Sequence, residues 1–181
     1  MEFLFFILIL IGLALLALSL WSKQKGSSNE EIPLPYRLSP AVLTPAERSF
    51  FEVLERAVPE GVRVWPKVRL VDFLTIEARG GSYQAALNRV MAKHVDFLLV
   101  QAQDTKPLLA IELDDRSHDR DARRKRDRFL EALAQKVGLP LVRVQVRKEG
   151  YPLEEVRRLV EVNLKQASTT LPWRKPGWGP R

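Results

Sequence analysis

Acids set inside apolar runs are the residues of this chain best suited to chemistry. Asp96 interrupts His94 to Val100 (HVDFLLV), and Glu112 and Asp114 close the run that starts at Pro107 (PLLAIELDD). A buried carboxylate costs several kcal/mol unless it is paired or bound to a cation. Residues two apart on a strand share a face, so Glu112 and Asp114 point the same way, and Asp96 can stand beside them on the neighbouring strand. Three converging carboxylates would offer hard oxygen ligands suited to Mg²⁺ or Mn²⁺. His118, four residues past Asp114, can reach the same region, and its ordinary pKa of about 6.5 lets it take a proton from water near neutrality. The competing reading is structural. Asp96 and Glu112 would then be strand-end acids paired with lysine or arginine, and His118 a solvated residue at a helix start.

The elements that must position these groups follow from periodicity and punctuation. Thr44-Pro45-Ala46-Glu47 carries a helix start, with Thr44 as N-cap, Pro45 in the first turn and Glu47 closing a capping box. Phe50, Phe51, Leu54 and Val58 continue at helical spacing, and Pro59-Glu60-Gly61 ends the helix. Val62 to Leu70 alternates as a strand, with Pro66 marking an edge or a bulge. Tyr83 to Met91 predicts a short helix. His94 to Val100 and Pro107 to Leu113 predict an antiparallel hairpin around the turn Gln101 to Lys106. His118 to Val137 is helical, with Phe129, Leu133 and Val137 on one stripe and Gly138 as its C-cap. Leu139 to Val146 is a further strand, Leu153 to Leu164 a final amphipathic helix, and the tail from Gln166 is irregular. Helix, strand, helix, strand, strand, helix, strand, helix is an α/β layer arrangement.

The string HVDFLLV, a polar turn, LLAIELDDRSH, a basic helix and GLPLVRV resembles the PD-(D/E)XK nuclease superfamily. It resembles more closely a bacterial domain of unknown function numbered 2726, and it is similar to the very-short-patch repair endonucleases. The resemblance covers about Leu43 to Val146. It implies a restriction-endonuclease-like mixed sheet flanked by helices, and a Mg²⁺- or Mn²⁺-dependent phosphodiesterase acting on DNA. Position by position, it makes Asp96 the aspartate ending the first motif and a metal ligand, and Glu112 the acid of the second motif and a ligand with it. Asp114 stands where the superfamily usually has lysine, so a group that orients water and steadies phosphate charge is missing there. His118 becomes the candidate base, and Arg124 or Lys125 the replacement positive charge. Glu47 corresponds to an acid that such folds often place on the first helix, a role competing with its cap. A nuclease fold without catalysis, kept as a nucleic-acid or protein binding module, is the alternative.

Arg120, Arg123, Arg124, Lys125 and Arg128 form a basic helix face. Taken alone it is a solvated surface, partly neutralised by Asp119, Asp121 and Asp127; beside a metal site it becomes a phosphate-contact surface. The chain has 29 Lys+Arg against 22 Asp+Glu, a net charge of +7, which favours an anionic partner. It lacks cysteine, which removes thiol nucleophiles and thiolate metal sites. A Gly-rich phosphate loop, H-E-x-x-H and G-x-S-x-G are all absent, so the sequence gives no support to nucleotide hydrolysis, zinc proteolysis or serine esterase chemistry.

Phe3 to Ser22 carries no charged residue, and about 20 helical residues cover the ~30 Å apolar core of a bilayer. Residues 1–22 are therefore expected to be a transmembrane anchor, 23–42 a flexible linker, 43–166 the nuclease-like domain and 167–181 an irregular tail. Lys23 and Lys25 after the span, against Glu2 before it, place the C-terminal domain in the cytoplasm by the positive-inside rule.

Overall fold

The protein is described by a computed structural model over residues 2–24, 34–114 and 120–171; side chains are not described at 120–126 or at several positions near the ends of the first helix. Two compact units divide the chain, Met1–Pro40 and Ala41–Arg181. The first contains α1 (Glu2–Gln24), whose described side chains are exposed throughout. Among the described residues no helix is long and apolar enough to cross a membrane. The helix continues through Lys23 and Gln24, where a linker was expected, and residues 34–39 have no regular structure.

The second unit begins with α2 (Pro45–Ala57), and its start is built as expected: Glu47 N donates to Thr44 Oγ1 at 3.3 Å, and Thr44 N donates to Glu47 Oε2 at 2.8 Å. Then come β1 (Val62–Arg69), a four-residue helix α3 (Leu70–Phe73) that starts at the last residue expected in the strand, and α4 (Gly81–Val90). The hairpin strands are β2 (His94–Gln101) and β3 (Pro107–Asp114), followed by α5 (Arg120–Val137), β4 (Leu141–Gln145) and α6 (Leu153–Thr170). Gly138, at φ +72°, ends α5. Its N–H donates to Gln135 O and that of Leu139 to Ala134 O at 3.0 Å, the paired bonds of a left-handed helix stop. The expected irregular tail is corrected at its start: α6 runs to Thr170, because Ala167 and Leu171 are buried in the core and carry the polar residues between them.

The sheet has the order β1-β2-β3-β4, antiparallel across the first two pairs and parallel between β3 and β4. A parallel neighbour demands a crossover, and α5 supplies it. Phe97, Ile111 and Val142 lie in one row across three strands; α2 covers that face, with Phe50 and Phe51 packed 5.6 and 6.0 Å from Phe97. Tyr151 closes the edge of Phe50 at 4.9 Å. The opposite face holds the row Leu98, Ala110, Leu141, and Leu130, Leu133 and Ala134 of α5 border a small void with Ala110 and Leu141. With both faces covered, β2 is buried from Val95 to Val100, which explains its nearly unbroken apolar sequence.

The cap at Thr44 satisfies backbone donors that α2 would otherwise leave open. Thr44→Ala is expected to lower stability by about 1 kcal/mol, and Thr44→Ser to retain most of it, read as a shift in the denaturant midpoint of the full chain in non-ionic detergent.

Candidate functional site

The candidate site grows from one register. Pro66 pairs with Phe97 and Val68 with Val95, which leaves Lys67 abreast of Asp96. Phe97 pairs with Ile111 at the end of the β2–β3 register, the Asp96 carboxylate beyond it accepts from Leu113 N beside Glu112, and Glu112 pairs with Arg143 on β4. A row of charges therefore crosses four strands, positive, negative, negative, positive.

Each member is held by its surroundings. Asp96 is buried; its Oδ2 accepts from Leu113 N at 2.9 Å and its Oδ1 from Lys67 Nζ at 3.1 Å. Lys67 also donates to Glu47 Oε1, and its Nζ lies 3.4 Å from His94 Nε2. Burial alone would raise the Glu47 carboxyl, but hydrogen bonds from Lys67 and Thr44 outweigh it and hold the group below the ordinary glutamate range. Burial would lower the Lys67 ammonium, yet Glu47 and Asp96 together raise it. Lys67 adopts φ +54°, the left-handed region that costs a side-chain-bearing residue about 1–2 kcal/mol. It follows Pro66 on an edge strand, where a proline needs no ladder partner.

At the other end Glu112 is buried, and Arg143 is held by α5: its Nη1 lies 2.7 Å from Asp127 Oδ1 and its Nε 3.4 Å from Glu131 Oε1. Burial opposes the Arg143 charge, and Asp127, Glu131 and Glu112 together more than restore it. Asp127 thereby fixes the first half of α5 beside the row, with Arg123 and Arg124 about one helical turn before it.

The expected cluster of three carboxylates is not formed. Asp114, the last residue of β3, pairs with Gln145 of β4 and accepts from its Nε2 at 2.7 Å. The parallel partner strand thus gives this acid a neighbour of its own. Glu47 instead approaches Asp96, through the Lys67 ammonium. Among the described residues no three His, Cys, Asp or Glu side chains are grouped to hold a metal ion. Asp96 and Glu112 remain as two buried acids on adjacent strands; Mg²⁺, which retains several waters, takes few protein ligands. His118 lies outside the described residues, as do the side chains of Arg120, Arg123, Arg124 and Lys125; Arg128 is exposed on α5. Sequence reasoning missed Lys67, Arg143 and His94 as parts of this arrangement. Pro66 in β1 was the available signal for Lys67, since it marked a break in the ladder beside a lysine.

Fold and site together define a mixed α/β protein whose central sheet carries an internal row of paired charges at the start of its crossover helix. Residues 39–163 match the family described as Protein of unknown function (DUF2726), and the chain belongs to that family. No curated protein and no solved structure matches it.

Glu47, held in its charged form, contributes stability that is complete above the ordinary glutamate pKa of about 4.3 and is lost as pH falls through its depressed folded value. Glu47→Gln should be less stable than the wild type by about 1 kcal/mol at pH 7, with the gap closing below about pH 4; a gap independent of pH would contradict the assigned ion pair. For the other end of the row, a double-mutant cycle of Arg143→Met with Glu112→Gln should be non-additive by about 1–2 kcal/mol, the double variant being more stable than the sum of the single losses implies.

Proposed function

We propose that the second unit is a Mg²⁺-dependent phosphodiesterase of restriction-endonuclease-like fold acting on DNA. The observation that carries this reading is the pair of buried carboxylates, Asp96 and Glu112, on neighbouring strands, with Asp96 bonded to the backbone of Leu113 next to Glu112. The mixed sheet with helices on both faces and the acid Glu47 on the preceding helix agree with the nuclease resemblance. When bound, Mg²⁺ polarises the phosphate, activates water and neutralises developing charge. Asp96 and Glu112 hold it, and Leu113 N fixes the Asp96 carboxylate through Oδ2. Arg143 balances Glu112 from the far side. His118, four residues beyond Asp114, is the proposed base for the attacking water, and the basic residues opening α5, with Arg128, are proposed to bind the phosphate backbone.

Anchoring at a membrane by residues 1–22, with the second unit in the cytoplasm, is part of the same proposal. It is supported by the uncharged stretch Phe3 to Ser22, the continuous helix α1 of 23 residues and the lysines that follow. A silent nuclease fold used for binding is favoured by one observation: both Asp96 oxygens already accept hydrogen bonds, from Lys67 and Leu113.

The two readings separate in a cleavage assay of the full chain in detergent on single- and double-stranded DNA and RNA. The expected result is cutting of DNA with Mg²⁺ or Mn²⁺ that Asp96→Ala and Glu112→Ala each reduce by at least about a hundredfold, roughly 2.7 kcal/mol or more of transition-state stabilisation. Absence of cutting, together with no metal binding by calorimetry, leaves the binding module.

A further inference from the structure

Of the large apolar side chains on the four strands described, only Trp65 is exposed, at 42%. Strand register puts it at the β1 end of the row Trp65, Leu98, Ala110, Leu141, in which Leu98 and Ala110 are buried. Two residues before it, on the same side of the strand, Arg63 is exposed and has no ion-pair partner among the described residues. Arg69, by contrast, is engaged by Asp72 through bonds of 3.0 and 2.8 Å. Two residues after Trp65, Lys67 donates to Asp96. A half-open indole thus lies between a cation available to a partner and the candidate carboxylates, each about 6–7 Å away along β1.

The backbone of this edge is poorly suited to receiving another strand. Pro66 has no N–H to donate, and Lys67 at φ +54° departs from extended geometry. What the edge offers a partner is therefore side chains, a ring face and a guanidinium. An indole stacks on any nucleobase because every base has a π-face, and arginine contacts phosphate. In a duplex the bases are stacked on one another, so their faces are closed to a side chain; an unpaired strand leaves them open. We infer that Trp65 and Arg63 form a platform for an unpaired stretch of DNA, one base stacked on the indole and a neighbouring phosphate at Arg63, leading the strand toward Asp96 and Glu112. This rests on the DNA reading above and adds to it the strandedness of the substrate. The net charge of +7 suits a polyanion.

The test is binding by the full chain in non-ionic detergent, with EDTA present so that cleavage plays no part. It is read by fluorescence anisotropy of labelled oligothymidylate, an abasic oligomer of the same length and a blunt duplex, with folding checked by circular dichroism. Trp65→Val keeps a strand-forming residue and removes the ring; it should weaken oligothymidylate binding by about tenfold to a hundredfold. Trp65→Phe should retain most of the affinity, and the abasic oligomer should bind the wild type and Trp65→Val equally. Arg63→Gln should make the dependence of log K on log salt shallower by about 0.7, the contribution of one phosphate contact on a single strand. Unchanged oligothymidylate affinity in Trp65→Val, an equal loss on the abasic oligomer, or a wild type that binds the duplex but not oligothymidylate overturns the proposal. If Trp65→Val does not fold, Arg63→Gln decides alone, and an unchanged salt slope overturns the platform. The catalytic reading fails separately: a wild type that binds in this pattern but does not cut with Mg²⁺ or Mn²⁺ refutes catalysis and leaves the platform standing.

Discussion

A carboxylate in the middle of a covered sheet must meet a cation, and most of the distinctive geometry of this protein meets that requirement. Asp96 and Glu112 lie on the two central strands, where they are buried and little solvent reaches them. Their charges are answered from the two edges of the sheet, by Lys67 on β1 and Arg143 on β4. The left-handed turn at Lys67, the position of Glu47 at the start of α2 and Asp127 on α5 are parts of one electrostatic arrangement.

This arrangement links local structure to packing. Glu47 closes the α2 capping box with one oxygen and receives Lys67 with the other, so the start of the helix and the edge strand are tied through a single side chain. The aromatic cluster of Phe50, Phe51, Phe97 and Tyr151 joins α2 to β2, and next to it Lys67 links Glu47 of the same helix to Asp96. Arg143 similarly joins β4 to the crossover helix through Asp127 and Glu131. Asp127, read from the sequence as partly neutralising a basic helix, therefore binds that helix to the sheet.

A charged row balanced this closely bears on function as well as on folding. Removing one partner of a partly buried pair leaves the other uncompensated, which makes such groups poor choices for stability alone. Their retention is understandable where the charge is needed for an ion or a phosphate, and that asymmetry supports reading Asp96 and Glu112 as functional. The same pairing shows why composition says little here: a net charge of +7 does not reveal that the acids sit in the core and much of the basic excess lies outside it.

The elements were legible in the sequence because local rules govern them. Thr44 and Glu47 three apart define a cap, the run HVDFLLV defines a covered strand, and Gly138 supplies a left-handed stop without a side-chain penalty. The two acids also declared themselves, since a carboxylate among aliphatic residues is costly whatever the fold. The elements that escaped were governed by distant contacts: α6 extends past Gln166 because Ala167 and Leu171 find the core, and α3 forms directly after the strand, its first residue Leu70 buried and bonded to Lys93 O. The partners escaped for the same reason. Lys67 is separated from Asp96 by 29 residues, and Asp114 was drawn to Gln145 by a parallel pairing that no local pattern encodes. Sequence alone determined which groups carry unusual charge and which segments are helices or strands, because those depend on residue type and near neighbours. Only the tertiary structure decided which charges meet, because strand order and register set those distances.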